Sequence, residues 1–361
     1  MKSAVCRRCL LWIVGIACSR LALAAVGRWT PLGPYHGDGT PVSVSALAAA
    51  PNGEFLYAAG DGVFRSNDGG ARWIAADGLS ESRGVLSIAV DPATPSTLYA
   101  GTFAGLFRST DAGLSWVPVW TDQVVYVIAV DAASPRTLYA GTGPMSNGND
   151  SSVFKSTDGG ANWTRVLSTA DYDGFVSLAI DPVSPVNVYA GSERGQFFRS
   201  ADAGQTWSEV PGYWEGRIGS IAIDPSSPWT VYAASDQTVV PMGPGIGNVV
   251  KSTDFGQTWQ ALSGIPRFNV AGMTLDPRSP SHVYAGVDGV VYASADGGVT
   301  WSPVGDDAPS LYAEAFLFDP LRPGHLYVVS GEVFDIDLGG RSPVQRLPRP
   351  LPRTRVLLPR P

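Results

Sequence analysis

The sequence has 361 residues, of which 44% are hydrophobic, and it carries 32 acidic against 25 basic side chains. A chain of this length and apolar content can bury a core without disulfides or metals. The acidic excess argues against nucleic acid as a partner, because contact with phosphates needs clustered positive charge.

The first 24 residues are predicted to be a signal peptide. Lys2, Arg7 and Arg8 lie ahead of an apolar run that covers residues 10–18. Ala22-Leu23-Ala24 then offers a small-residue cleavage site. We therefore expect an exported protein, periplasmic or extracellular. No later segment approaches the roughly 20 apolar residues of a membrane-spanning helix.

Two other export signals were considered for the same segment. Arg7-Arg8-Cys9-Leu10-Leu11 resembles the core of a twin-arginine signal but lacks its usual flanking residues, and Ala17-Cys18 loosely resembles a lipoprotein site. Both are alternatives to the simple signal peptide. All three cysteines fall within these 24 residues, so the mature chain is expected to have no disulfide.

An eight-residue pattern, Ser-x-Asp-x-Gly-x-x-Trp, occurs six times in the rest of the chain. Its aspartates are 42 to 52 residues apart, the spacing of four-stranded propeller blades. The aspartates are Asp68, Asp111, Asp158, Asp202, Asp254 and Asp296, and the tryptophans are Trp73, Trp116, Trp163, Trp207, Trp259 and Trp301.

Each copy is expected to form a β-hairpin turn. In the third copy, Asp158 can accept hydrogen bonds from backbone N–H groups ahead of it, and Gly160 supplies a positive φ. Trp163 brings a large ring to a position where neighbouring blades would pack. Six equivalent carboxylates on turns are better explained by structure than by acid catalysis, so we assign the aspartates and tryptophans a structural role.

The pattern resembles the Asp-box, or bacterial neuraminidase repeat. Such repeats are found in sialidases, xyloglucan-degrading glycosidases, sortilin-type receptors and photosystem II assembly factors. The resemblance implies a sialidase-like seven-bladed β-propeller, closest in layout to single-ring assembly factors and xyloglucanase-like repeat proteins. It does not separate enzymes from non-enzymes, because both carry the same box.

The expected fold is all-β: a seven-bladed propeller of four-stranded antiparallel blades over residues 25–340. Seven tyrosines recur at one place in the repeat, namely Tyr57, Tyr99, Tyr139, Tyr189, Tyr232, Tyr284 and Tyr327. Residues 28–33 look like the last strand of a blade, whereas 314–334 supply three strands and no box. We predict that the N-terminal strand completes the last blade and closes the ring.

The ligand is predicted to bind on one face of the ring. The Asp-Pro turns and boxes occupy one face, and the insertions at 143–152 and 236–248, with varied links between blades, occupy the other. Insertions confined to one face commonly mark a binding side. The predicted ligand-binding residues on this face are Trp120, Tyr126, Tyr172, Asp173, Tyr213, Trp214, Glu215 and Arg217.

Two functions are compatible with this face. The preferred one is an exported, non-catalytic scaffold that binds a glycan or a protein or peptide ligand. The alternative is a glycoside hydrolase of the sialidase or xyloglucanase-like class that uses a carboxylate pair. Against it, the chain lacks the Arg-Ile-Pro segment of sialidases and holds one ring where xyloglucanases resemble two. Opposed carboxylates among Asp171, Asp173, Glu215 and Asp236 would favour the enzyme.

The remaining segments add little chemistry. Residues 341–361 contain six Arg, six Pro and no acid, so this Pro/Arg-rich tail is expected to be disordered. No histidine or cysteine set has metal-ligand spacing, and we expect neither a metal nor another cofactor. We expect a monomer.

Overall fold

The protein was analysed as a computed structural model that describes residues 29–79, 84–121, 123–143, 151–169, 173–211, 216–236, 249–266, 269–305 and 312–339. These residues form 28 β-strands in seven four-stranded antiparallel sheets, with no helix among them. The predicted signal peptide (1–24) and tail (341–361) lie outside the described residues. In the described part of the chain, no helix is long and apolar enough to span a membrane.

Each sheet is one blade, with strands A to D in order of pairing. Blades 1 to 3 are β2 (Val44–Ala49), β3 (Leu56–Gly60), β4 (Val63–Ser66) and β5 (Ile74–Ala75); β6 (Val85–Val90), β7 (Leu98–Thr102), β8 (Gly105–Ser109) and β9 (Val117–Thr121); and β10 (Val124–Val130), β11 (Leu138–Gly143), β12 (Ser151–Ser156) and β13 (Thr164–Thr169).

The next three blades repeat this order. Blades 4 to 6 are β14 (Phe175–Ile180), β15 (Val188–Ser192), β16 (Phe197–Ser200) and β17 (Ser208–Glu209); β18 (Arg217–Ile223), β19 (Val231–Asp236), β20 (Val249–Ser252) and β21 (Gln260–Ala261); and β22 (Val270–Leu275), β23 (Val283–Val287), β24 (Val290–Ser294) and β25 (Ser302–Pro303).

The seventh blade joins the two ends of the chain. It consists of β26 (Ala315–Phe318), β27 (His325–Ser330), β28 (Glu332–Asp337) and, as its outer strand, β1 (Thr30–Gly33). Thr30 pairs with Asp335 and Pro31 with Phe334 in antiparallel register. The A strands of neighbouring blades contact one another around the whole ring. The predicted seven-bladed fold and its closure by the N-terminal strand are confirmed.

The box turns are built around a hydrogen bond between a buried serine and a carboxylate. In blade 3 the Ser156 hydroxyl donates to Asp158 Oδ1 at 2.8 Å and accepts the Gly160 N–H at 2.9 Å. Asp158 accepts the backbone N–H of Asn162 at 2.9 Å and its side-chain amide at 2.7 Å. These bonds satisfy the turn's backbone groups within the turn itself.

Apolar clusters and tyrosine hydroxyls join successive blades. Trp163 of blade 3 packs with Tyr99 and Leu106 of blade 2 in one cluster. The B-strand tyrosine of one blade also donates to a carbonyl of the next blade's box. These pairs are Tyr57–Ala112, Tyr99–Gly159, Tyr139–Ala203, Tyr189–Phe255, Tyr232–Gly297 and Tyr327–Gly69. The core therefore lies between blades and is continuous around the ring.

Candidate functional site

The antiparallel order of the strands gives the ring two different faces. The A–B turns and the boxes lie on one, the box face. The A strands begin and the B strands end on the other, which carries the B–C turns and the links between blades. We call this the loop face. The side chains at the inner edge of the loop face therefore come from the first residues of A strands and from the B–C turns.

On this face, blades 3 to 5 contribute one group of polar side chains that includes the Arg217 guanidinium. The group consists of Tyr126 from β10, Asp173 just before β14, Glu193 just after β15, Arg217 at the start of β18 and Asp236 at the end of β19. We call it the Arg217 cluster. It combines three carboxyls, one cation and one phenol from neighbouring blades.

Asp173 and Glu193 are held together by two backbone hydrogen bonds. Asp173 Oδ1 accepts the Arg194 N–H at 2.7 Å. The Gly174 carbonyl accepts the Glu193 N–H at 2.9 Å. Asp173 is only 1% exposed, whereas Glu193 is exposed. The buried carboxylate thus supports the turn that presents Glu193 at the surface.

Two glycines leave room for the Tyr126 ring beside this turn. A Cβ at Gly143 would lie 1.7 Å from Tyr126 Cε2, which is too close for two carbon atoms that are not bonded, so no residue with a side chain fits there. A Cβ at Gly174 would lie 3.0 Å from the same ring atom and 3.3 Å from Glu193 Oε2. The Glu193 carboxyl and the phenol ring therefore meet over Gly174.

The charge of Arg217 acts on carboxyls of both blade 4 and blade 5. Arg217 and Asp236 are register partners at the loop-face end of β18 and β19. The Arg217 charge lowers the pKa of both Glu193 and Asp236, opposing the effect of burial. One exposed cation thus acts on two acids that different blades provide.

The net pKa shifts of the three carboxyls are upward. Burial raises the pKa of Asp173, although hydrogen bonds from the Ser192 hydroxyl and the Arg194 N–H oppose it. Burial and the nearby charge of Asp173 raise the pKa of Glu193. Burial and the charge of Asp288 raise that of Asp236. A carboxyl that keeps its proton to higher pH is suited to general acid catalysis.

Two carboxyl oxygens of the cluster are buried without a hydrogen bond. They are Asp173 Oδ2 and Asp236 Oδ1, neither of which has a partner among the described residues. Within that same part of the chain, no three His, Cys, Asp or Glu side chains are grouped so as to hold a metal ion.

The box aspartates show the opposite behaviour. The side-chain amide and backbone N–H of Asn162 lower the pKa of Asp158 to about 2. A carboxyl with so low a pKa holds no proton near neutral pH and is a poor general acid. The structural role that we assign to the boxes stays a prediction, and this shift supports it.

The structure brings three of the predicted ligand-binding residues together and separates a fourth. Tyr126, Asp173 and Arg217 belong to the Arg217 cluster. Trp120 lies on the outer strand β9, where its ring stacks on Trp163 at a centroid distance of 5.0 Å and meets Phe154 edge-on at 4.8 Å. The predicted residues Tyr172, Tyr213, Trp214 and Glu215, and the candidate acid Asp171, lie outside the described residues.

Sequence reasoning missed Glu193 and Asp288. It weighed the two long B–C insertions and the links between blades, whereas these two acids lie in short B–C turns. A signal was present, because the B–C turns of blades 1, 4 and 6 each carry an acid at the same place: Asp61, Glu193 and Asp288. The repeat alignment therefore predicts a set of carboxyls on the loop face.

Comparison with proteins of known sequence finds xyloglucanases. The chain is 26% identical over 263 residues to a xyloglucanase of Hypocrea jecorina, a match that covers 67% of this chain and 29% of the relative. It is 26% identical over 275 residues to xyloglucanase Xgh74A of Acetivibrio thermocellus, covering 61% and 32%. The matches thus span about a third of these curated relatives. No family model matches the sequence.

Solved structures show the same fold. The GH74 xyloglucanase of Xanthomonas campestris aligns with a TM-score of 0.67 at 21% identity, over 86% of this chain and 53% of that one. YCF48 bound to D1 peptide aligns with a TM-score of 0.63 at 16% identity, over 86% and 96%. At these identities the likeness establishes the propeller fold.

These comparisons correct one expectation and leave another as a prediction. The preference for a non-catalytic binding scaffold is wrong, because the relatives are named xyloglucanases and the structural neighbours include GH74 enzymes. They point to glycoside hydrolase activity, which was the alternative. Membership of the Asp-box or sialidase family stays a prediction that rests on the repeated motif.

Proposed function

We propose that the protein is a glycoside hydrolase that cleaves a xyloglucan-type β-glucan on the loop face. The observation that carries the proposal is the Arg217 cluster, in which Glu193 and Asp236, together with the buried Asp173, lie at the loop-face ends of strands in blades 4 and 5 beside Arg217. The similarity to xyloglucanases supports this class of reaction and substrate. We further propose that residues 1–24 direct export, which would bring the enzyme to an extracellular polysaccharide.

Glu193 is the proposed general acid. It lies on the loop face, where burial and the Asp173 charge raise its pKa against the opposing charge of Arg217. A protonated Glu193 would donate to the glycosidic oxygen as the bond to the sugar breaks. Asp173, at 1% exposure, is too deeply buried to reach a polysaccharide.

Asp236 is the proposed second carboxyl. It lies at the end of β19 as the register partner of Arg217. Burial raises its pKa, and the Arg217 charge opposes this rise and favours the ionised form. As a carboxylate it would either activate a water molecule or attack the anomeric carbon. The distance between the two carboxyls in the substrate complex would decide between inversion and retention.

Aromatic rings on the same face suit the sugar backbone. Phe103, in the B–C turn of blade 2, is 44% exposed, and the partly buried Tyr126 follows in blade 3. Rings of this kind stack on the apolar faces of sugars, while carboxyls and Arg217 bind hydroxyls. A glucan that crosses blades 2 to 5 would meet Phe103 before it reaches Tyr126 and the rest of the Arg217 cluster.

The experiment is hydrolysis of soluble xyloglucan by the full chain, with new reducing ends as the readout. Glu193→Gln and Asp236→Asn should each lower kcat by about 100-fold or more, because each removes one proton-transfer group. Glu209→Gln and Asp77→Asn remove exposed carboxyls elsewhere and should leave turnover unchanged. Absence of turnover by the unaltered chain, or full activity of both cluster variants, would refute the proposal.

A further inference from the structure

Asp173 is a buried carboxylate without a direct role in the reaction proposed above. It is 1% exposed, and its Oδ2 has no hydrogen-bond partner among the described residues. An ionisable group buried in this way costs stability unless its charge is used or compensated. It lies directly before β14 and beneath the B–C turn of blade 4, the turn that carries Glu193.

We propose that Asp173 is a positioning residue for Glu193: its carboxylate fixes the Glu193–Arg194 turn and places one negative charge beside the Glu193 carboxyl. This inference rests on the proposed function, in which Glu193 is the acid. It concerns how the fold supports that acid, since Asp173 itself does not reach the substrate.

The geometry supports the first part of this role. Asp173 Oδ1 accepts the Arg194 N–H at 2.7 Å, and the adjacent Gly174 carbonyl accepts the Glu193 N–H at 2.9 Å. Two consecutive residues before β14 thus bind the two consecutive residues after β15. Because the backbone of the turn is held at both positions, the direction of the Glu193 side chain is restricted.

The charges around the turn support the second part. Asp173 receives hydrogen bonds from the Ser192 hydroxyl and the Arg194 N–H, which stabilise its anion. Glu193 faces Asp173, Arg194 and Arg217, with the Tyr126 phenol nearby, and the charge of Asp173 favours its protonated form. Asp173 should therefore lose its proton first, after which its charge delays ionisation of Glu193.

The test is a carboxyl titration by NMR of the full chain carrying 13C-labelled aspartate and glutamate. Signals are assigned from their loss in Glu193→Gln and Asp173→Asn. In the unaltered protein, Asp173 should titrate at lower pH than Glu193. In Asp173→Asn, which keeps an oxygen acceptor but no charge, the Glu193 pKa should fall by about half a unit or more. In the pH profile of kcat/KM, the decline on the alkaline side should move to lower pH as well.

A matched control separates an effect on the Glu193 pKa from a general loss of stability. Asp181 is fully buried at the other end of β14, where its Oδ1 accepts the Val183 and Ser184 N–H groups. Asp181→Asn should destabilise the blade without moving the Glu193 titration. An unchanged Glu193 pKa in Asp173→Asn, or titration of Glu193 before Asp173 in the unaltered chain, would overturn the inference. A shifted titration without xyloglucan turnover would instead refute the proposed function alone.

Discussion

The hydroxyl of Tyr327, in the last blade, lies 3.4 Å from the carbonyl oxygen of Gly69 in the box of the first blade, and it is 2.9 Å from a second acceptor, Asp319 Oδ2. Five other blade junctions have the same bond between a B-strand tyrosine and the next box. The ring is therefore joined at its seam by the contact that joins its interior blades. Two features differ at the seam: the Tyr327 hydroxyl also bonds to Asp319 and Arg322, and the outer strand comes from the other end of the chain.

Removal of that outer strand should open the ring. A variant that begins at Ser43 lacks β1, leaving β28 with an unpaired edge and Trp73 without the Leu32 carbonyl that accepts its indole N–H at 2.9 Å. We expect loss of cooperative thermal unfolding or association through the open edge. Calorimetry with size-exclusion chromatography measures both. A monomer with an unchanged Tm would contradict this account of closure.

The tyrosine bonds between blades can be tested singly. The Tyr139 hydroxyl donates to the Ala203 carbonyl at 2.7 Å, the shortest of these bonds. Tyr139→Phe removes only the donor and should lower the free energy of unfolding by about 1 kcal/mol. Tyr284→Phe is the control, because blade 7 has no box and no acceptor for Tyr284 is found among the described residues. Equal losses in the two variants, measured by urea unfolding, would show that the bonds contribute nothing specific.

Three boxes place a residue with a side chain where a positive φ is needed. These residues are Ala112, Ala203 and Phe255, with φ of 57°, 56° and 59°. The left-handed conformation costs about 1–2 kcal/mol for such residues, whereas glycine adds about 0.4–1 kcal/mol of unfolded-state entropy. Ala203→Gly should therefore stabilise the protein by up to about 1 kcal/mol. Ala190→Gly, within strand β15, should destabilise it, and a loss of stability in both variants would contradict the strain argument.

The boxes also predict how stability depends on pH. Five of their aspartates have pKa values lowered to about 2 by hydrogen bonds that overcome any effect of burial. A lowered pKa gives stability that is complete above the unfolded-state value near 4 and is lost as the pH falls towards 2. The Tm should therefore fall steeply between about pH 4 and 2. Asp158→Asn should make this fall shallower, and an unchanged slope would count against the assignment.

The sequence predicted the fold well because the residues that specify each hairpin lie close together in the chain and recur at a regular spacing. Each box carries its own serine, aspartate and glycine, so one hairpin can be read from eight residues and then counted. The Arg217 cluster depends on contacts between blades that no motif records. Glu193 lies in a short turn of blade 4, and Arg217 reaches it from blade 5. Only the register of the strands and the angle between blades bring them together.

The final prediction concerns the space that Gly174 leaves at the cluster. A Cβ there would lie 3.0 Å from Tyr126 Cε2 and 3.3 Å from Glu193 Oε2, so Gly174→Ala should push the carboxyl away from its position. Displacement of a proton donor by about 1 Å can cost up to about 100-fold in rate, and we expect kcat on xyloglucan to fall at least tenfold. The Tm should change little, because Gly174 has no positive φ and the ring can shift slightly.

Gly37→Ala is the matched control for this substitution, because a Cβ at Gly37 would meet no atom within 4 Å. Its activity and Tm should equal those of the unaltered chain. A second comparison, Gly174→Ala combined with Tyr126→Leu, removes the ring that the new methyl group would contact. If crowding displaces Glu193, this double variant should regain part of the lost kcat. Equal activity of Gly174→Ala and Gly37→Ala would mean that the position of Glu193 over Gly174 does not matter for hydrolysis.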